Sequence, residues 1–256
     1  MPVSLDTVGF CGVDDSVDPA ELVTLSNSFP WIEWGILCQP GHEGTPRNPT
    51  PQYVERLGQV LKASGARVAA HMCGGDATRV MRGDVERIQQ VSDILGCRRI
   101  QVNLGTAPWE KEDGVDGLCK VVTSFPSLEF ILQTTKKVED ELLPILMDPA
   151  VKPRNLAVLY DPSVGTGVEP PGWPAPLADV HCGYAGGLSP ERIEQQLHGI
   201  SNNSVLGYSG TVWIDMESSL RSKLDDGQDI FDLERVRQVI DKVVACEDAV
   251  IVLSAP

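Results

Sequence analysis

Short apolar runs alternate along the chain with longer segments in which hydrophobic residues recur every three or four positions. Each apolar run has the length of a strand and is bounded by turn-forming residues, a pattern typical of buried strands. Eight strands are predicted, at residues 3–11, 32–38, 67–72, 99–103, 128–132, 156–160, a short run ending at 182, and 211–215.

The longer segments predict helices between these strands, each with one hydrophobic face. Their bounds are about 18–27, 50–64, 84–95, an undefined start to 124, 138–147, 189–198 and 229–245. Ser189 followed by Pro190 is the expected N-cap and first residue of the seventh helix. Four prolines between residues 170 and 176 disfavour any but a very short helix after the sixth strand, because proline disrupts a helix interior.

Eight strands alternating with seven or eight helices predict an α/β protein, a (β/α)8 TIM barrel that forms a single domain over residues 1–256. No shift in composition marks a linker between domains. The alternative is an open, doubly wound sheet. The barrel is preferred because no G-x-G-x-x-G follows the first strand and eight regular units favour closure.

The charge of the chain narrows its partners. A formal net charge of −15 argues against nucleic acid and anionic membranes, because both attract a basic surface. A small phosphorylated substrate is still compatible with this net charge, because local dipoles and one or two arginines at the site can outweigh the field of more distant acidic residues. No signal peptide or membrane-spanning run is visible. Seven scattered cysteines, an odd number, predict reduced thiols in a cytoplasmic protein.

Polar residues follow the predicted strands at the end where TIM barrels place their active sites. Because the carboxyl ends of all strands meet at one face, we expect some of these side chains to line a common pocket. They are Cys11, Gln39, His42, Arg47, His71, Asn103, Gln133, Thr134, Asp161, His181, Asp215 and Glu217.

Glycines after the sixth and seventh strands predict an anion site. Gly165 and Gly167 follow the sixth strand, and Gly186 and Gly187 precede the seventh helix. Glycine lets the backbone approach a ligand, and free N–H groups at a helix N-terminus favour phosphate. The alternative is two tight turns that need glycine only for a positive φ.

Several segments resemble, in order and on matching strands, the motifs of phosphoribosylanthranilate isomerase, a ribulose-phosphate-binding barrel family. The resemblance spans nearly the whole chain. It implies an Amadori-type conversion of a phosphoribosylamine to a 1-deoxyribulose, a place in tryptophan biosynthesis, and no cofactor or metal. The segments are FCGV (10–13), TPR (45–47), IQVN (100–103), DPSVGTG (161–167) with Trp173, AGGL (185–188), and ID (214–215) through GQD (227–229).

The resemblance also implies residue roles. Cys11 falls on the general base and Asp161 on the general acid, and we expect the two to face each other across the pocket, because ring opening and proton abstraction need groups on opposite sides of the sugar. A thiol suits this role if its pKa is lowered, and an acid if burial raises its pKa. Arg47, Asn103 and Gln133 fall on substrate-binding positions. The phosphate would be held by Gly165, Gly167, Gly186, Gly187, Ser218 and Ser219.

Three positions depart from the family pattern. The usual lysine before the Cys-Gly pair is absent, and Asn103 stands where the family has histidine. Glu217 precedes Ser218 and Ser219 in the expected phosphate loop, where a carboxylate within about 4–6 Å would repel phosphate.

These departures keep other functions open. One is a barrel enzyme acting on a different or unphosphorylated substrate, and another is a barrel that binds a ligand without turnover. A third is a metal-dependent hydrolase or lyase. Its candidate ligands are the pairs Cys38/His42, His71/Cys73 and His181/Cys182, although no recognised zinc spacing is present.

Overall fold

Eight parallel strands close into a barrel, because β1 pairs with β2 on one side and with β8 on the other. The computed structural model describes residues 2–105, 109–163, 167–168, 170, 172–204, 208 and 210–253. The predicted (β/α)8 fold is confirmed. The strands are β1 (Val3–Cys11), β2 (Ile32–Cys38), β3 (Arg67–Met72), β4 (Arg99–Val102), β5 (Glu129–Gln133), β6 (Leu156–Tyr160), β7 (His181–Tyr184) and β8 (Val212–Met216).

Helices surround the barrel, and the main hydrophobic core fills the space between them and the outer faces of the strands. Among the described residues, none of these helices has both the length and the apolar character needed to cross a membrane. They are α1 (Pro19–Ser28), α2 (Pro51–Ser64), α3 (Gly75–Met81), α4 (Val85–Leu95), α5 (Lys111–Ser124), a π-turn at Val138–Leu142 that continues as α6 (Leu143–Leu146), α7 (Ile193–Ser204) and α8 (Leu233–Ala245).

Two local predictions were wrong or incomplete. The α3 helix was missed because Gly74, at its N-cap, makes no side-chain capping hydrogen bond, which removes the usual start signal. The helix predicted from Ser189 begins at Ile193 instead. Ser189 instead opens a turn before the helix, in which the Arg192 N–H donates a hydrogen bond of 3.1 Å to the Ser189 carbonyl.

Three short strands were also not predicted. β9 (Arg221–Lys223) and β10 (Asp229–Phe231) form an antiparallel hairpin after β8, and β11 (Ala249–Ile251) pairs with the start of β1. Each has three residues, too few to show a period along the sequence.

The interior of the barrel holds one large aromatic ring. Trp213 on β8 packs with four small or aliphatic side chains in a separate hydrophobic cluster inside the strands. Its indole crosses the barrel over Gly183 on β7, where an added Cβ would lie 2.0 Å from the ring. The guanidinium of Arg99 stacks on the indole at 4.2 Å, and the ring of His181 lies 4.5 Å away.

Buried and half-buried charged groups line the amino-terminal end of the strands, below Trp213. Arg99 Nη1 lies 2.9 Å from Glu33 Oε1, and Arg99 Nε lies 2.7 Å from Glu129 Oε2. The imidazole of His181 lies between Glu129, 2.9 Å from Nδ1, and Asp6, 3.0 Å from Nε2. Burial alone would lower the pKa of His181, but these two carboxylates outweigh it and raise the pKa to about 9.

Protonated His181 should therefore stabilise the fold. Because its pKa is raised in the folded protein, this contribution is fully present below about pH 6.5 and is lost as the pH rises through about 9. We expect the free energy of unfolding to fall across that window by about 3 kcal/mol more than in His181→Gln. Urea denaturation at a series of pH values measures this difference.

A matched control is His198→Gln, which removes an exposed histidine paired with Asp248 on the outer surface. That variant should keep the wild-type slope. Parallel profiles for His181→Gln and the wild type would contradict the role of the His181 charge.

Candidate functional site

A cavity of about 520 Å³ opens at the carboxyl ends of the strands. Eight of the predicted site residues lie on its wall, whereas Cys11 and Arg47 do not, and Gly165 lies outside the described residues. The eight are Asn103, Gln133, Asp161, Gly167, Gly186, Gly187, Ser218 and Ser219.

Asp161, directly after β6, is buried on this wall. Its Oδ2 accepts a hydrogen bond of 2.7 Å from the Gln133 amide. Its Oδ1 accepts bonds from the Ser163 hydroxyl at 2.6 Å and the Ser163 N–H at 3.2 Å. These donors place hydrogen bonds on both oxygens of the Asp161 carboxyl group.

Asp215, on β8, also lines the cavity, and the sequence alone assigned it no role. Its carboxyl group lies over Gly9 of β1, where an added Cβ would meet Oδ1 at 2.4 Å. Burial raises the pKa of Asp215 well above its ordinary value, and the charges of Glu33 and Glu217 raise it further. This environment favours the neutral carboxylic acid.

Cys11, at the end of β1, is 1% exposed and absent from the cavity wall. The thiol therefore has almost no exposed surface through which to meet a substrate in the cavity. Burial, followed by the charges of Glu217 and Asp215, raises the pKa of the Cys11 thiol well above its ordinary value. This direction is opposite to the one a thiol base requires.

The Cys11 sulfur lies 3.1 Å from Nδ1 of His71 on β3. Burial, with a smaller effect from the Arg99 charge, lowers the pKa of His71 to about 3, so the imidazole is neutral. The Gln101 amide nitrogen lies 3.2 Å from the same Nδ1. Because an amide NH2 group only donates, Nδ1 is the acceptor and the proton stays on the thiol.

Asn103, which was predicted to bind substrate, belongs to the same hydrogen-bond network. Its Oδ1 accepts a bond of 3.0 Å from Gln101, and its Nδ2 donates to the Cys73 sulfur at 3.3 Å. The sequence could not reveal this network, because its members come from three different strands.

Arg47 and Glu217 form an ion pair at the mouth of the cavity. Arg47 Nη1 lies 2.9 Å from Glu217 Oε1 and donates a longer bond of 3.3 Å to the Ser218 hydroxyl. Glu217 lines the cavity and Arg47 lies behind it. Burial raises the pKa of Glu217, although the charge of Arg47 opposes the shift.

The residues predicted to form the anion site lie on the cavity wall around two glycines. Gly186 and Gly187 have φ values of 98° and 70°, which favour glycine over residues with a Cβ. Ser218 and Ser219, at the start of a short 3₁₀ helix, lie on the same wall, and so does Gly167. An added Cβ on Gly167 would be 3.2 Å from Ser218 Cβ, so the two segments touch.

Two residues at this wall were missed by the sequence. Arg192 lines the cavity and brings a positive charge to it. Gln196 is 1% exposed, and its Nε2 donates a bond of 2.6 Å to the Gly187 carbonyl. Because a peptide C=O and N–H point in opposite directions, this bond directs the Leu188 N–H away from Gln196. Both residues lie in a segment predicted to be an ordinary helix, so nothing in the sequence distinguished them from its other polar residues.

Among the described residues, no group of three His, Cys, Asp or Glu side chains is placed to hold a metal ion. The metal-dependent alternative therefore has no donor set in this part of the chain. His181, one of its candidate ligands, lies at the opposite end of the barrel in the Asp6–Glu129 pair.

The fold and this cavity place the chain structurally among the TIM-barrel proteins. No protein-family model matches it, and no curated protein is similar to it in sequence. Solved structures do match. The phosphoribosyl anthranilate isomerase from Thermococcus kodakaraensis shares 11% identity over 93% of this chain and 98% of that chain, with a TM-score of 0.50.

Two other solved structures match at the same sequence identity. A truncated 3-deoxy-D-arabino-heptulosonate 7-phosphate synthase from Thermotoga maritima shares 11% identity over 94% of this chain and 86% of that chain, with a TM-score of 0.55. A D-psicose 3-epimerase, solved in the presence of D-fructose, shares 11% identity over 94% of this chain and 99% of its own, with a TM-score of 0.50. At these identities the similarity shows a shared fold.

Proposed function

We propose that this chain is an enzyme that transfers protons on a small, phosphorylated, hydroxyl-rich substrate, with Asp161 as base and Asp215 as acid. One observation carries the proposal: two carboxyl groups on one cavity wall lie in different environments, Asp161 with hydrogen-bond donors on both oxygens, and Asp215 in a buried site where its pKa is raised and the charges of Glu33 and Glu217 add to that shift. Such a pair is the arrangement that general acid–base catalysis needs.

The opposed environments assign the roles. Asp161 accepts hydrogen bonds on both oxygens and would act as the base that takes a proton from the carbon next to a carbonyl or imine group. Asp215, held neutral by burial and by neighbouring carboxylates, would donate a proton to the substrate oxygen. The resemblance implies the acid role for Asp161, and this proposal reverses it.

The phosphate group is assigned to the wall built by Gly186, Gly187, Ser218, Ser219 and Arg192. Glycine backbone, hydroxyl groups and a guanidinium are the groups that bind phosphate in proteins. The remaining wall is rich in amide side chains, which suits a substrate with several hydroxyl groups.

Within this class we favour an aldose–ketose isomerisation, including the Amadori-type conversion of a phosphoribosylamine. The motifs of residues 161–167 and 185–188 support it, and so do the names of three structural neighbours, which are an isomerase, a sugar epimerase and a synthase of a sugar phosphate. The burial of Cys11 favours Asp215 over this thiol as the partner of Asp161.

Solvent exchange in D2O tests the proposal. The protein is incubated with ribulose 5-phosphate, ribose 5-phosphate, phosphoribosylanthranilate, and unphosphorylated ribulose and psicose, and deuterium incorporation is followed by NMR. We expect exchange at the carbon next to the carbonyl or imine group of a phosphorylated substrate. Asp215→Asn should reduce it about 10²-fold or more, while Cys11→Ala should retain it.

Three other outcomes would support a different function. Loss of exchange in Cys11→Ala but not in Asp215→Asn would restore the Cys11–Asp161 pair. Exchange confined to unphosphorylated sugars would favour the alternative substrate class. Binding of a sugar phosphate without exchange would indicate a non-catalytic barrel.

A further inference from the structure

The carboxyl group of Glu217 has one oxygen committed to Arg47 and one left for the cavity. Its side chain crosses Gly12, where an added Cβ would lie 3.2 Å from Glu217 Cγ. Oε1 is bound by Arg47 at 2.9 Å, and no described residue donates a hydrogen bond to Oε2. Glu217 therefore presents an acceptor to whatever occupies the cavity.

Arg47 is anchored in this position through its backbone. It has a φ of 75°, which is uncommon for a residue with a Cβ, and its N–H donates a bond of 2.9 Å to Asp14 Oδ2. Asp14 is itself held by Arg221, whose Nη2 lies 2.6 Å from the same oxygen. The Arg47 guanidinium is thus held close to the mouth of the cavity, behind Glu217, and does not line the cavity wall.

The charged side chains around the cavity suit a substrate that carries one anionic group. Arg192 and the glycine wall can receive a phosphate, whereas the Glu217 carboxylate stands where a second anion would have to meet Arg47. A second anionic group would be repelled by Glu217, and a hydroxyl or ammonium group would be hydrogen-bonded by it.

We propose that Glu217 is a specificity-determining residue that holds Arg47 in an internal ion pair and limits the substrate to a single anionic group. The substrate then places a hydroxyl or ammonium donor against Glu217. This inference rests on the proposed function, because it takes the phosphate at the glycine wall as given.

Replacing Glu217 by Gln should release Arg47 toward the cavity and change this preference. The experiment compares the affinities for ribulose 5-phosphate and ribulose 1,5-bisphosphate by isothermal titration calorimetry. We expect the wild type to prefer the monophosphate, and Glu217→Gln to shift the affinity ratio toward the bisphosphate by about tenfold or more, because a charged hydrogen bond replaces a repulsion.

Two further variants show whether Arg47 is the reason. In the double variant Glu217→Gln with Arg47→Gln, the gain for the bisphosphate should disappear, because no guanidinium is left to receive the second anion. Glu43→Gln is the matched control: it makes the same change of charge at an exposed position on the loop that carries Arg47. Its affinity ratio should equal that of the wild type.

The outcomes separate the two proposals. If the monophosphate binds but Glu217→Gln leaves the ratio unchanged, or Glu43→Gln shifts it equally, the role of Glu217 is wrong and the proposed function survives. If neither sugar phosphate binds to the wild type or the variants, both fall together. Should Glu217→Gln not fold, Arg47→Met provides a second test: exposing Glu217 should strengthen the preference for the monophosphate, and an unchanged ratio overturns the inference.

Discussion

Asp161→Asn should lower kcat for the exchange reaction by about 10²–10⁴-fold, the range that a positioned proton-transfer group contributes. The carboxylate has donors on both oxygens, the Gln133 amide on one and the Ser163 hydroxyl on the other. Asparagine can accept on one side only, and its NH2 group then faces a donor on the other side. The variant therefore loses the base and disturbs its surroundings.

The loss should fall on kcat more than on KM, because the proton is transferred in the transition state and the phosphate is bound elsewhere on the wall. Steady-state kinetics with the sugar phosphate that shows exchange measures both quantities. The control is Asp225→Asn, which makes the same substitution at an exposed position of the hairpin after β8. An Asp161→Asn enzyme that kept nearly all of its turnover would remove the base from the proposed mechanism.

Gly183→Ala should be among the most destabilising single substitutions in the barrel. The added Cβ would lie 2.0 Å from a ring atom of Trp213. The indole cannot move aside easily, because Arg99 stacks on it at 4.2 Å and His181 lies 4.5 Å away. Overpacking of a buried site costs about 1–3 kcal/mol, and we expect a cost near 3 kcal/mol here because the neighbours of the indole are held in place.

Thermal unfolding measures this cost. A loss of about 3 kcal/mol corresponds to a decrease in Tm of about 10 °C for a chain of this size. The matched control is Gly172→Ala, because an added Cβ there meets no atom within 4 Å. Gly183→Ala combined with Trp213→Leu should recover part of the loss, since a smaller side chain makes room for the methyl group. Equal Tm values for Gly183→Ala and Gly172→Ala would show that the barrel interior is not packed as described.

The architecture was predictable because its signals are local. Strand-length apolar runs and helical periodicity arise within about 5 to 15 neighbouring residues. They located all eight barrel strands to within a few residues. The face that carries the cavity follows from the same signals, because parallel strands bring all their carboxyl ends together. Asp161 and Gln133 were therefore expected near one another, and they are hydrogen-bonded.

Contacts between distant strands were not predictable in the same way. The pairing of Cys11 with His71 joins positions 60 residues apart, and the pairing of Arg47 with Glu217 joins positions 170 apart. Both depend on the register of neighbouring strands and on the direction of each side chain, which no local pattern encodes. Arg192 and Gln196 were missed for a related reason, since their segment reads as an ordinary helix and that pattern does not show the hydrogen bonds that join the Gln196 side chain to Gly187 and Ser189.

The sequence by itself determined a closed parallel barrel, the end of it that carries the cavity, and the set of polar residues that lie there. Only the tertiary structure decided their surroundings: the burial that raises the pKa of the Cys11 thiol and of the Asp215 carboxyl group, a His71 imidazole whose pKa is lowered, and an arginine paired with Glu217. The physical reason is that protonation and pairing depend on burial and on charges from other strands, and these exist only once the barrel has closed.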